Sequence, residues 1–136
     1  MRFLLLAVLC CVFWTAEAQQ SEYKKQIRKD VKELTRIYDL DKEQQQKAYI
    51  VQERYYLQLE EIASLKNNQY RAYLYKLKSV RMGQQFGLKK LLRSGQWSVF
   101  EAEQAREEQT YQQKLAALKA KGASKEELDL ARITIE

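Results

Sequence analysis

Histidine and proline are absent from this sequence, cysteine stops at Cys11, and glycine occurs at only four positions. Between Ile62 and Phe100 there is also no Asp or Glu. Each gap excludes something. Beyond Cys11 the chain has neither a Ser/His nor a Cys/His pair for nucleophilic catalysis. It has no thiolate or imidazole for zinc, and no means of forming a disulfide framework. Adjacent acids do occur, at Glu60/Glu61, Glu107/Glu108 and Glu126/Glu127. Neighbours on a helix diverge by about 100°, so these pairs do not converge on one substrate atom. An enzyme, a metal centre and a bound cofactor are therefore not expected. The lack of proline, the scarcity of glycine and an apolar repeat near every 3.5 residues, with no strand-like alternation, predict an all-α chain.

The N-terminus reads as an export signal. Arg2 precedes an apolar run from Phe3 to Trp14 that is too short to span a bilayer, and Ala16-Glu17-Ala18 supplies an Ala-x-Ala cleavage site. Cleavage is predicted before Gln19, leaving residues 19–136 as a single all-helical domain; an uncleaved anchor is the alternative. Cys10 and Cys11 lie inside the signal. Arg2 and Glu17 leave together, so the formal charge of +6 belongs to the mature chain.

The apolar periodicity predicts a first helix from Ser21 to about Tyr38, with Tyr23, Ile27, Val31, Leu34 and Tyr38 as its inner stripe. Asp41 with Gln44 forms a loose capping box for a second helix. No breaker interrupts the next forty residues, so this helix is expected to run from Lys42 to about Met82, roughly 60 Å. Its inner stripe would be Ala48, Val51, Tyr55, Leu59, Ile62, Tyr73, Leu77 and Val80, interrupted by Lys66 and Gln69. Ile50, Arg54, Leu57, Arg71, Tyr75, Lys78 and Met82 make a second stripe, which one hairpin would not cover.

Gly83 and Gly87 predict a bend, followed by a short helix over Leu88–Leu92. Ser94 would cap a third long helix whose seam is Trp97, Phe100, Gln104, Tyr111, Leu115 and Leu118. Gly122 is placed to end it, and Ser124-Lys125-Glu126-Glu127 opens a last helix with Leu128, Ala131 and Ile135 inward. The second and third helices would lie antiparallel as an elongated hairpin, flanked by the shorter ones.

Two stretches share the pattern Leu-x-x-x-Gln, each at the start of a long predicted helix: Leu40 to Gln44 and Leu92 to Gln96. The pattern resembles the LTxxQ signature of the Spy/CpxP family of periplasmic helical proteins, which typically carry two copies. The family's Thr is Asp41 in the first copy and Arg93 in the second; Asp still caps a helix, whereas Arg has no acceptor and shifts the expected cap to Ser94. The resemblance implies a periplasmic homodimer of helical hairpins whose basic concave face cradles unfolded or partly folded envelope proteins without ATP. Some relatives instead restrain an envelope-stress sensor. Others sense metal through His- or Met-rich segments, which this chain lacks, Met82 being its one methionine after the signal.

The acid-free stretch carries Lys66, Arg71, Lys76, Lys78, Arg81, Lys89, Lys90 and Arg93 among aromatic residues. Such a surface attracts acidic polymers at long range and holds apolar groups loosely at contact. The residues assigned to client or partner binding are Arg54, Leu57, Arg71, Tyr75, Lys78, Arg81 and Met82; solvated surface or a dimer interface is the alternative for each. Export removes nucleic acid as a partner. An anionic envelope surface remains a competitor, although the cations and rings of residues 70–81 alternate too finely for an interfacial helix. A structural or regulatory protein docking on one folded partner is the other reading.

Overall fold

The computed structural model describes residues 22–134, all of them in helices or the turns between them. The export signal, its cleavage site, Ser21 and Ile135 lie outside the described residues. The elements are α1 (residues 22–38), α2 (Lys42–Ala63), α3 (Leu65–Asn68), α4 (Tyr70–Leu91), α5 (Ser94–Ala120) and α6 (Lys125–Thr134). The fold is all-α, built on a hairpin of long antiparallel helices.

The hairpin does not turn where glycine suggested. The expected forty-residue helix from Lys42 to Met82 is divided at Ser64–Gln69, and α4 folds back along α2. Nothing in this turn is Gly or Pro. Instead Ser64-Leu65-Lys66-Asn67-Asn68-Gln69 is a polar run of modest helix formers in which the apolar repeat lapses. Gln69 leaves the helical region, at φ −142° and ψ 58°, and burial of the two facing helices offsets the cost of the break. Ile62, Leu77 and Val80 close the interior next to the turn, with Tyr55, Leu59 and Tyr73 packed around them. Further along, buried Gln52 accepts from Gln84 Nε2 at 2.7 Å.

The predicted bend at Gly83 and Gly87 is also corrected, because α4 runs through both. Gly87 faces α2 closely: a Cβ there would lie 3.1 and 3.2 Å from the Val51 methyls. Its role is close approach of two helices, not flexure. Leu88 to Leu91 belongs to α4, with Leu92 as its C-cap, so no separate short helix exists.

A second cluster lies at the opposite end of the hairpin. Tyr38, Leu40, Ala48, Leu88, Leu92 and Phe100 are all buried there, with Val31, Leu34 and Ile37 of α1 packed against them. α1 returns along α2, where Tyr56 Oη donates to Asp30 Oδ2 at 2.8 Å and the Tyr23 and Tyr56 rings lie 5.7 Å apart. Burial and the Asp30 carboxylate both raise the Tyr56 pKa, which keeps this phenol a donor.

α5 ends as its glycine predicts. Gly122 has φ +79°, Ala123 N–H donates to Leu118 O at 3.1 Å, and Gly122 N–H donates to Lys119 O at 3.0 Å. Ser124 and Glu127 then cap α6 reciprocally, at 2.7 and 3.2 Å. α6 packs against both α4 and α5 at this end, with Ala131 buried. Trp97 departs from the expected seam and is 45% exposed, since its indole turns back to donate to Leu92 O at 3.3 Å.

Candidate functional site

The two Leu-x-x-x-Gln copies, 52 residues apart, meet face to face. Both leucines enter the buried cluster formed with Tyr38, Ala48, Leu88 and Phe100. Gln44 Oε1 accepts from its own N-cap, Asp41 N–H, at 3.2 Å, and Gln96 Oε1 accepts from Arg93 N–H at 2.8 Å. Each amide then crosses over. Gln44 Nε2 donates to Leu91 O at 3.0 Å and to Gln96 Oε1 at 2.7 Å. Gln96 Nε2 donates to Tyr38 O at 2.7 Å and to Gln44 Oε1 at 3.2 Å. Each glutamine thus satisfies an amino end of the helix it opens and a carbonyl end of the helix before the other copy.

The second residue of each copy, Asp41 and Arg93, has a visible role. Asp41 caps α2 by accepting from Gln44 N–H at 2.9 Å. That backbone hydrogen bond, with the nearby Arg93 guanidinium, holds its carboxyl below the usual carboxylate range. Arg93, not Ser94, is the N-cap of α5, correcting the expected shift. Its side chain accepts nothing, so only the Gln96 half of the box forms, and the guanidinium instead donates to Asp41 Oδ2. Arg93 therefore links the two copies. This surface pair contributes little by itself.

The residues assigned to partner binding fall on two helices. Arg54 and Leu57 sit on α2 about half a turn from its buried Ala48, Gln52 and Ile62, so they face outward, with Leu57 55% exposed. Arg71, Tyr75, Lys78 and Met82 advance by four, three and four along α4, with Tyr75 and Met82 each 58% exposed on its outer side and Lys78 at the edge shared with the groove between α1, α4 and α5. The fold-back at Ser64–Gln69 thus separates what read as one continuous stripe. Arg81, about 100° around the helix from Met82, faces the groove between α1, α4 and α5. Phe86 continues the α4 stripe four residues past Met82 and, at 69%, is the most exposed large apolar side chain among the described residues. The same spacing rule would have found it; attributing Gly83 and Gly87 to a bend ended the stripe too early.

On the inner side of α4, an open groove of about 690 Å³ runs between α1, α4 and α5. Leu34, Ile37, Leu88 and Phe100 give it an apolar floor, Lys78 and Arg81 line it on α4, and Glu103, Glu107 and Glu108 on α5. Arg106 and Lys114 also border it, Arg106 engaging Glu103 at 2.5 Å. Tyr38 reaches in from α1, its pKa raised by burial and then by Glu103 and Glu107. No sequence signal found this groove, because its walls come from helices brought together only by the tertiary fold.

Among the described residues no group of three or more His, Cys, Asp or Glu is arranged to hold a metal ion, and no helix is long and apolar enough to cross a membrane. Comparison with known proteins finds no match: no family model fits the chain, and neither a curated protein nor a solved structure matches it.

Proposed function

We propose that this chain is a non-catalytic, ATP-independent chaperone-like protein of the exported, Spy/CpxP-like kind, binding unfolded or partly folded envelope polypeptides through the outer face of α4. The observation that carries the reading is that α4 has no acidic residue over Tyr70–Leu91, while exposing Tyr75, Met82 and Phe86 between Arg71, Lys78 and Lys90. Cations at this density steer acidic chains to the surface. The exposed Tyr, Met and Phe side chains then hold apolar segments weakly enough for release, Met and Phe adapting to varied partners. Arg54 and Leu57 on α2 extend the contact for long clients. The mutual docking of Leu40/Gln44 with Leu92/Gln96 favours the family resemblance, since a repeated signature gains a shared purpose when its copies meet. Homodimerisation through the exposed apolar positions belongs to the same proposal.

The test is light scattering with a reduced, aggregating protein as client. Suppression of aggregation is expected to weaken in about 0.3 M salt, where exposed charges are screened beyond a few ångströms. Arg71→Glu with Tyr75→Ser should abolish most of it while helicity persists. No suppression at any ratio removes this reading and favours a regulator that docks on one folded partner.

A further inference from the structure

We propose that the basic face of α1, with the groove it forms against α2, docks the protein on a bilayer surface bearing anionic phosphodiester headgroups. The proposal does not depend on client binding by α4, which is a different helix. Lys24, Arg28 and Lys32 stand at every fourth position of α1, and all are exposed. At about 100° per residue they fall within an arc of about 80° and span about 12 Å along the axis. Lys29 widens the row on one side. The acids of α1 are engaged away from this row. Glu22 pairs with Lys25 at 3.8 Å, Glu33 pairs with Arg36 at 2.6 Å, and Asp30 accepts from Tyr56 of α2 and from Gln26. Lys24, Arg28, Lys29 and Lys32 themselves form no ion pair among the described residues.

Beside the row, an open groove of about 600 Å³ runs between the two helices. Arg28 and Val31 line it from α1, and Lys42, Gln46, Tyr49 and Ile50 from α2; no acid lines it. Lys42 is also without an ion pair among the described residues. Its neighbour Asp41 caps α2 and engages Arg93, and Glu43 is held by Lys47. Asp39, before Lys42, and Glu53, one turn past Tyr49, lie outside the lining. The occupant follows from what this face has and what it lacks. No large apolar side chain of α1 is exposed, so the helix grips by charge, and apolar contact comes only at the groove through Ile50, 56% exposed, and Tyr49. Unpaired cations close together on one rigid helix suit a plane of fixed negative charge, where each side chain meets a phosphate at once. A flexible acidic peptide would lose its chain entropy for charge contacts alone. Laid on the plane, α1 rests among the headgroups and Tyr49 and Ile50 reach the interfacial layer, while the apolar interior of the fold stays closed.

The experiment is co-sedimentation of the mature chain, residues 19–136, with vesicles of about 30% phosphatidylglycerol in phosphatidylcholine at about 0.05 M salt. Leaving out the apolar N-terminal run keeps it from inserting by itself. Binding at least about tenfold tighter than to phosphatidylcholine alone is expected, and it should weaken at least about tenfold in about 0.3 M salt. Arg28→Glu with Lys32→Glu should weaken it at least about twentyfold, at about fivefold for each basic residue near the surface. Arg71→Glu with Lys78→Glu changes the net charge equally and should weaken it less than about threefold. All four positions are exposed, so both variants should keep the parent's helicity and thermal melt. A second measurement leaves the cations in place. The mature chain has no cysteine, so Ile50→Cys or Met82→Cys carries an environment-sensitive nitrobenzoxadiazole dye at one position. On anionic vesicles the dye at position 50 should brighten and shift to shorter wavelength, and the dye at position 82 should stay as in water. Equal losses from the two charge reversals overturn the proposal, as does a dye response at position 82 as large as that at position 50, or equal binding to phosphatidylcholine. Poly-glutamate should bind at least about tenfold more weakly per acidic group than the vesicles; equal affinity overturns the proposal and assigns the face to acidic polypeptides.

Discussion

Removing one glutamine of the crossed pair should cost this fold more than any surface substitution. Gln44 is 4% exposed, and its amide serves two backbone groups, Leu91 O and Asp41 N–H, as well as Gln96. In Gln44→Ala both backbone groups lose their partner in a site with little water. At roughly 1–1.5 kcal/mol for each lost bond, with the helix-start contribution included, the expected loss is about 3 kcal/mol. Gln96 is less buried and serves Tyr38 O and Arg93 N–H, so Gln96→Ala should cost about 2 kcal/mol. The two single losses both include the bond between the amides. The double variant should therefore cost about 4 kcal/mol, leaving a coupling near 1 kcal/mol. Urea denaturation followed by circular dichroism at 222 nm measures all three. Additivity within about 0.3 kcal/mol, or a single loss below about 0.5 kcal/mol, would refute the crossed geometry as a source of stability.

Three further outcomes are expected. Gly83→Ala should raise stability by up to about 1 kcal/mol, since a Cβ there meets nothing within 4 Å, whereas Gly87→Ala should lower it because the stiff Val51 side chain is already in the way; equal gains in thermal melts would show that the helices can part at Gly87. Gly122→Ala should destabilise by about 1 kcal/mol through its φ of +79°, checked in the same melts. Asp41 has a lowered folded-state pKa, so the stability it contributes is present above the unfolded-state value and is lost as pH falls through the folded one. Asp41→Asn should flatten the acid limb of stability against pH, and an unchanged limb would assign it to other carboxylates, Glu127 first, whose pKa is lowered by its Ser124 cap bonds.

What the sequence revealed and what it hid divide along local and long-range physics. Asp41 with Gln44, Ser124 with Glu127, and Gly122 all act within a few residues, and each cap was readable from spacing. The hairpin turn was not. Forty residues without Gly or Pro looked like one helix, while Lys66 and Gln69 in the inner stripe were the visible sign of a lapse. A polar gap costs an isolated helix little, and only the burial gained by laying α4 on α2 makes reversal the better solution. Gly87 misled for the same reason, its partner Val51 lying thirty-six positions earlier. Of the surface proposed for interaction, the outer stripe of α4 was legible as periodicity, but its separation from Arg54 and Leu57 was not. The groove required the whole tertiary arrangement. Arg93 is instructive: judged alone it breaks the signature, yet in the fold it reaches the Asp41 carboxylate of the other copy.

The meeting of Gln44 and Gln96 also decides how the electric fields of the long helices combine. Carbonyl ends of α1 and α4 are brought against amino ends of α2 and α5, so their opposite partial charges neutralise within this one pole. That end of the molecule should consequently keep its stability as ionic strength rises, while the field of the cationic outer surface of α4 is progressively screened. If that surface captures other chains as proposed, salt should act on capture well before it acts on architecture.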